Sequence, residues 1–82
     1  MSWYMYLLRC ADNTLYCGIT NDIKRRIEEH NGVGSKGAKY TRSRRPVSLV
    51  YREAFDNKSL ALKREAEVKR WNKPRKELLA AC

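Results

Sequence analysis

The sequence predicts a small α/β domain: a three-stranded antiparallel sheet flanked by helices, in the order β-β-α-loop-β-α-α. Two short aromatic and apolar runs, residues 3–9 and 15–19, are separated by Asp12-Asn13, which reads as a hairpin turn. A helix signal follows at once, with Thr20, Asn21 or Asp22 to cap it and Asn31-Gly32 to stop it. After a glycine-rich basic stretch comes a third alternating run, residues 47–51, and then two further helical patterns.

Each element has its own justification. Along the first strand Tyr4 and Tyr6 point to one side, and along the second so do Tyr16 and Gly18. Gly18 leaves space beside Tyr16, which suits either the close approach of a bulky ligand or a tight bend. In the first helix Ile23, Ile27 and His30 form one stripe that must face the sheet. Arg26 lies beside that stripe, one helical turn from His30, so the two side chains are neighbours. Asp56 or Asn57 opens a helix over about residues 58–72, and Pro74 is suited to start a shorter third one.

The chain has 82 residues, 43% of them apolar, enough for a single domain over 1–82 with one modest core. Lysine and arginine outnumber aspartate and glutamate 18 to 9, a formal charge of +9 that calls for a polyanionic partner, nucleic acid first. The segment 31–45 contains no acid, and its Lys36, Lys39, Arg42, Arg44 and Arg45 are interleaved with Tyr40. Such a loop would track a phosphate backbone without reading sequence, and Tyr40 would stack on an unpaired base.

Other classes are disfavoured. Cys10, Cys17 and Cys82 show no CxxC spacing and leave an odd thiol, which fits a reduced cytoplasmic protein better than a disulfide framework. With one histidine, a zinc site has too few ligands. The apolar start at residues 3–8 is too short for a membrane span and reads as a buried strand. The expected location is the cytoplasm, on the nucleoid when DNA is bound.

Glu65 is the most telling position after the tyrosines. Helical geometry sets it among Ala61, Leu62 and Val68, on the apolar side of its helix. A carboxylate there needs a counter-charge, a backbone group to cap or a metal. Arg26 is one candidate partner.

With these residues in place, the chain resembles the GIY-YIG nuclease superfamily. Tyr4-Met5-Tyr6 stands at the first triplet of that family and Tyr16-Cys17-Gly18 at the second. The segment Gly18-Ile19-Thr20-Asn21-Asp22-Ile23-Lys24-Arg25-Arg26-Ile27 resembles the approach to the family's helix arginine, matched by Arg26. His30 stands where the family often has a histidine or tyrosine, and Glu65 matches its metal-binding glutamate. The chain is similar in particular to small single-domain bacterial members. It departs from the pattern in Tyr4, which replaces the first glycine, and in Cys17, which replaces the central isoleucine of the second triplet. Asn72 is an uncertain match to the family's later asparagine.

The resemblance implies a divalent-metal-dependent endonuclease that acts on nucleic acid, DNA favoured over RNA, selecting structure rather than sequence in repair or recombination. It implies Glu65 as the one protein ligand to Mg²⁺ or Mn²⁺, with water and phosphate oxygens completing the shell. Tyr16 would orient or deprotonate the attacking water, supported by Tyr6 through a hydrogen bond. Arg26 would hold the phosphate, and His30, ordinarily titrating near neutrality, would aid proton transfer. A phenol ordinarily titrates near pH 10, so a tyrosine base would rely on the surrounding positive charge. Two alternatives belong to other classes: a non-catalytic nucleic-acid-binding module, and an accessory subunit docked on a larger repair or processing protein through Trp71 and Leu78-Leu79.

Overall fold

In the computed structural model, residues 2–32 and 43–81 are described. The elements are β1 (Trp3–Arg9), β2 (Leu15–Thr20), α1 (Ile23–His30), β3 (Ser48–Phe55), α2 (Lys58–Lys69) and α3 (Lys73–Ala80). The strands form an antiparallel sheet in the order β2-β1-β3, so the first strand is the central one. That position explains its composition: Met5, Tyr6, Leu7 and Leu8 are all buried, two towards each face.

The β1–β2 turn closes through a Cys10 N–H to Thr14 carbonyl bond, with Asn13 left-handed at φ 68°. Asparagine tolerates that conformation, and the Asp12 carboxylate accepts from the Thr14 N–H to fix the turn. Among the described residues all three helices start on a side-chain cap, in which Asp22, Asn57 and Asn72 accept from the N–H groups of Arg25, Leu60 and Arg75.

Alternation divides the sheet into two faces. Met5, Leu7 and Cys17 face α2 and α3, where Val68 joins the same buried cluster with Trp71 and Leu79 packed against it. Tyr6 and Leu8 face the other way, with Cys10, Val47, Tyr16, Leu49 and the α1 stripe residues Ile23 and Ile27. A register shift between Leu7 and Leu8 lets β3 bulge at Val50.

β2 ends one residue later and β3 begins one residue later than expected, and three boundaries differ by more or in kind. β3 runs on to Phe55, past residue 51, because the ladder with β1 continues through Glu53, Ala54 and Phe55 although the apolar alternation has ended. α2 stops at Lys69, short of residue 72, because Asn72 serves as the cap of α3. Lys73, not Pro74, is the first residue of α3, with the proline in its first turn. Cys10 and Cys17 are free and buried, and Cys82 lies outside the described residues. Among the described residues no helix is long and apolar enough to cross a membrane.

Candidate active site

The α1 face gathers an aromatic cluster at the boundary between β1 and β2. The Tyr6 and Tyr16 ring centroids lie 6.4 Å apart, and His30 meets both edge-on, at 6.0 Å from Tyr6 and 5.0 Å from Tyr16. The Tyr6 hydroxyl and His30 Nε2 share a buried hydrogen bond of 2.9 Å. Strand alternation and the Ile23–Ile27–His30 stripe therefore deliver these side chains to one place, as the sequence predicts.

Gly18 serves a different purpose from either expected one. It pairs with Tyr6 across the strands, and a Cβ on it would stand 2.5 Å from the Tyr6 hydroxyl and 3.1 Å from the Tyr16 ring. The space beside Tyr16 is filled by Tyr6 itself, not kept for a ligand. The second glycine of note, Gly32, has φ 103° and closes α1 under the Arg45 guanidinium.

Burial sets the protonation of the cluster. Desolvation pushes the Tyr6 phenol well above its ordinary range, against the opposing pull of the Arg26 guanidinium, so Tyr6 remains a neutral phenol. Desolvation also pushes His30 down to about 4, and the nearby charges of Arg26 and Arg45 act in the same direction. The imidazole is then neutral at pH 7, which revises the expectation of a histidine titrating near neutrality. A neutral imidazole next to a neutral phenol fits a hydrogen-bonded support better than a proton donor.

Arg26 acts on both Tyr6 and Tyr16, which sets it beside the cluster. Its acid partner is Glu29, one turn on, at 3.0 Å. Glu29 was not among the residues singled out from the sequence, although an acid three residues after an arginine on a helix is a readable signal. Of the candidate partners for Glu65, Arg26 instead pairs locally with Glu29, and Glu65 pairs with Lys69.

Glu65 sits on α2, which packs on the opposite face of the sheet. Its side chain is 17% exposed, and Lys69 reaches it at 3.4 Å. Leu62, expected on the same apolar stripe, is exposed, so the buried stripe is Ala61 and Val68 with Glu65 at its margin. After burial itself, the Glu65 carboxylate is the largest influence pushing the Cys17 thiol up to about 12. Cys17 adjoins Tyr16 on β2, an edge strand, so Glu65 acts on one face of that strand and the aromatic cluster lies on the other.

Among the described residues no three His, Cys, Asp or Glu side chains gather to hold a metal. A single hard, partly exposed carboxylate, paired with Lys69 at 3.4 Å, suits an ion that keeps most of its own water. Of the expected backbone-tracking residues, Lys36, Lys39, Tyr40 and Arg42 lie outside the described residues. Arg44 and Arg45 have intramolecular roles. Arg44 Nε pairs with Asp12 at 2.9 Å, and Arg45 Nε donates to the His30 carbonyl at 2.8 Å, at the end of α1. Asn31 adds two bonds to the Val47 backbone and so pins the return of the loop. Asn72, the uncertain family match, is a helix cap.

Comparison with known proteins bears on the family and the fold. The family model described as the GIY-YIG catalytic domain matches residues 2–78. A UPF0213 protein of Desulfotalea psychrophila is 55% identical over 78 residues, 95% of this chain and 70% of its own length. The solution structure of a UPF0213 protein from Bacillus halodurans is 44% identical with a TM-score of 0.62, covering 99% of this chain and 84% of that one. A second solution structure, from E. faecalis, is 41% identical with a TM-score of 0.64, covering 95% of this chain and 81% of that one. Matched over nearly its whole length, and carrying both tyrosines, the helix arginine and the distant glutamate in order, the chain belongs to the GIY-YIG catalytic domain family.

Proposed function

We propose that this chain is a divalent-metal-dependent endonuclease that hydrolyses phosphodiester bonds in nucleic acid, DNA in preference to RNA, by structure rather than by sequence. The observation that carries the reading is the Tyr6–His30–Tyr16 cluster with Arg26 beside it.

Burial supports the assignment of roles. Tyr6 and His30 are both buried, and the bond between them fixes the ring against which Tyr16 packs. Tyr16 is half-buried on the edge strand, so it is the phenol that can meet and orient an attacking water. Arg26 holds the scissile phosphate and stabilises the charge that develops on it, with Glu29 as the partner it must share. Glu65 would hold Mg²⁺ or Mn²⁺. Such an ion, when bound, supplies Lewis-acid polarisation of the phosphate and stabilisation of the leaving oxygen. A phosphate at the β2 edge would be reached by Tyr16 and Arg26 from one face and by Glu65 from the other.

The net charge of +9 supports a polyanionic substrate bound chiefly through its backbone, so affinity should fall steeply with salt. The test is cleavage of nicked, flapped, branched and single-stranded DNA, with matched RNA, in Mg²⁺ or Mn²⁺. Wild type should cleave at least one DNA structure, and Glu65→Ala should bind it without cleaving. Cleavage retained in Glu65→Ala points to another site. Tight binding by wild type without cleavage points to a non-catalytic binding module.

A further inference from the structure

Next to the cluster, the α1 face of the sheet has a part that α1 does not cover. α1 packs over Tyr6, Leu8, Tyr16 and Leu49. Tyr4, Arg52 and Ala54 share the same face by strand alternation, yet Tyr4 is only half-buried and the other two are exposed. Arg52 pairs with Tyr6 on one side of β1 just as Gly18 pairs with it on the other. Gly18, Tyr6 and Arg52 thus form one row across the sheet, from β2 to β3.

Among the described residues Arg52 keeps its charge unpaired by an acid, as does Arg75, which lies over Trp71 on the α2 and α3 side, but Arg52 stands on the same face of the sheet as the cluster. Arg9, Arg26, Arg44 and Arg64 each pair with an acid. Arg52 makes no ion pair among the described residues, and its guanidinium lies over the Tyr4 ring, 5.9 Å from the centroid. An aromatic platform orients a guanidinium without neutralising it. The row spans about 10 Å, two strand spacings, which a nucleic-acid strand with stacked, B-form spacing covers in about three nucleotides at about 3.4 Å each.

We propose that Arg52, oriented by Tyr4, is a second phosphate-binding point that holds the strand flanking the scissile bond as it crosses the sheet from β2 towards β3. This rests on the nucleic-acid reading of the cluster and adds a contact on its far side. The contact is to the phosphodiester backbone, so it adds affinity without sequence preference.

The test is binding of a short labelled oligothymidine in EDTA, followed by anisotropy between about 50 and 200 mM salt, with cleavage measured separately. Arg52→Ala should lower the slope of log affinity against log salt by about 0.7, one single-strand phosphate contact, and weaken binding about three- to tenfold at low salt. Lys63→Ala removes the same charge from the exposed surface of α2, on the opposite side of the sheet, and should leave the slope nearly unchanged. Arg52→Lys should restore the slope but not the full affinity, because a lysine does not stack as a guanidinium does. If Arg52→Ala matches wild type, or if it matches an equally weakened Lys63→Ala, the Arg52 site is overturned while the reading of the cluster stands. If wild type binds with the Arg52-dependent slope but never cleaves, the nuclease reading fails and the binding site stands. No binding by wild type overturns both.

Discussion

On the α2 side the sheet packs Met5, Leu7, Cys17 and Val68 into an apolar layer, whereas on the α1 side Tyr6, Tyr16 and His30 meet edge to edge around a hydrogen bond. Both layers are built from the same two strands by alternate residues. The apolar layer needs only shape, since a thiol, a thioether and aliphatic carbons impose few directional demands. The aromatic layer must also satisfy its polar atoms, and among the described residues no buried side-chain nitrogen or oxygen lacks a partner. One face thus supplies stability, and the other uses that stability to hold a polar cluster dry.

Truncation on each face should separate these roles. Leu7→Ala removes a fully buried side chain from the apolar layer and should cost about 2–5 kcal/mol by denaturant unfolding. Cleavage per folded molecule should barely change. Tyr6→Phe removes one buried hydrogen bond and should cost only about 1 kcal/mol, yet lower cleavage by at least about tenfold. The comparison breaks if Leu7→Ala loses activity while fully folded, or if Tyr6→Phe loses stability alone.

A smaller effect comes from pH. Burial holds the His30 pKa near about 4 against an ordinary 6.5, so the folded chain refuses a proton that the unfolded chain accepts. Above pH 6.5 both states are neutral at this ring and its full contribution to stability is present. As pH falls from 6.5 towards 4 the unfolded state gains protons first, and stability is lost. Between pH 7.5 and 4.5 wild type should therefore lose about 2 kcal/mol more than His30→Asn in urea unfolding. Parallel losses in the two proteins would show that His30 is not held neutral by burial.

Much of this was legible before any coordinates. Alternation at Tyr4, Tyr6, Tyr16 and Gly18, the Asp12-Asn13 turn and the starts of α1 and α2 need only local chemistry, and they lie where local chemistry puts them. The far half of β3 was hidden, because Arg52-Glu53 reads as a charged break. Its two charges have separate reasons: Glu53 meets Arg64 of α2 at 3.0 Å, and Arg52 faces outward on the other side. The use of Gly18 depends on strand register, which sets Tyr6 against it, and nothing local to Gly18 reveals that. The position of Glu65 depends on which face α2 covers, a property of the chain's path after β3 and not of the helix's own pattern.

The central claim is that Tyr16 on one face and Glu65 on the other act on a single phosphate around the β2 edge. The most direct measurement is the single-turnover cleavage rate of the preferred DNA structure by wild type, Tyr16→Phe, Glu65→Gln and the double variant. Residues that act as one unit are strongly non-additive, so the double variant should be no slower than the slower single one. Losses that multiply, or a Tyr16→Phe protein that cleaves at the wild-type rate, would contradict the shared site.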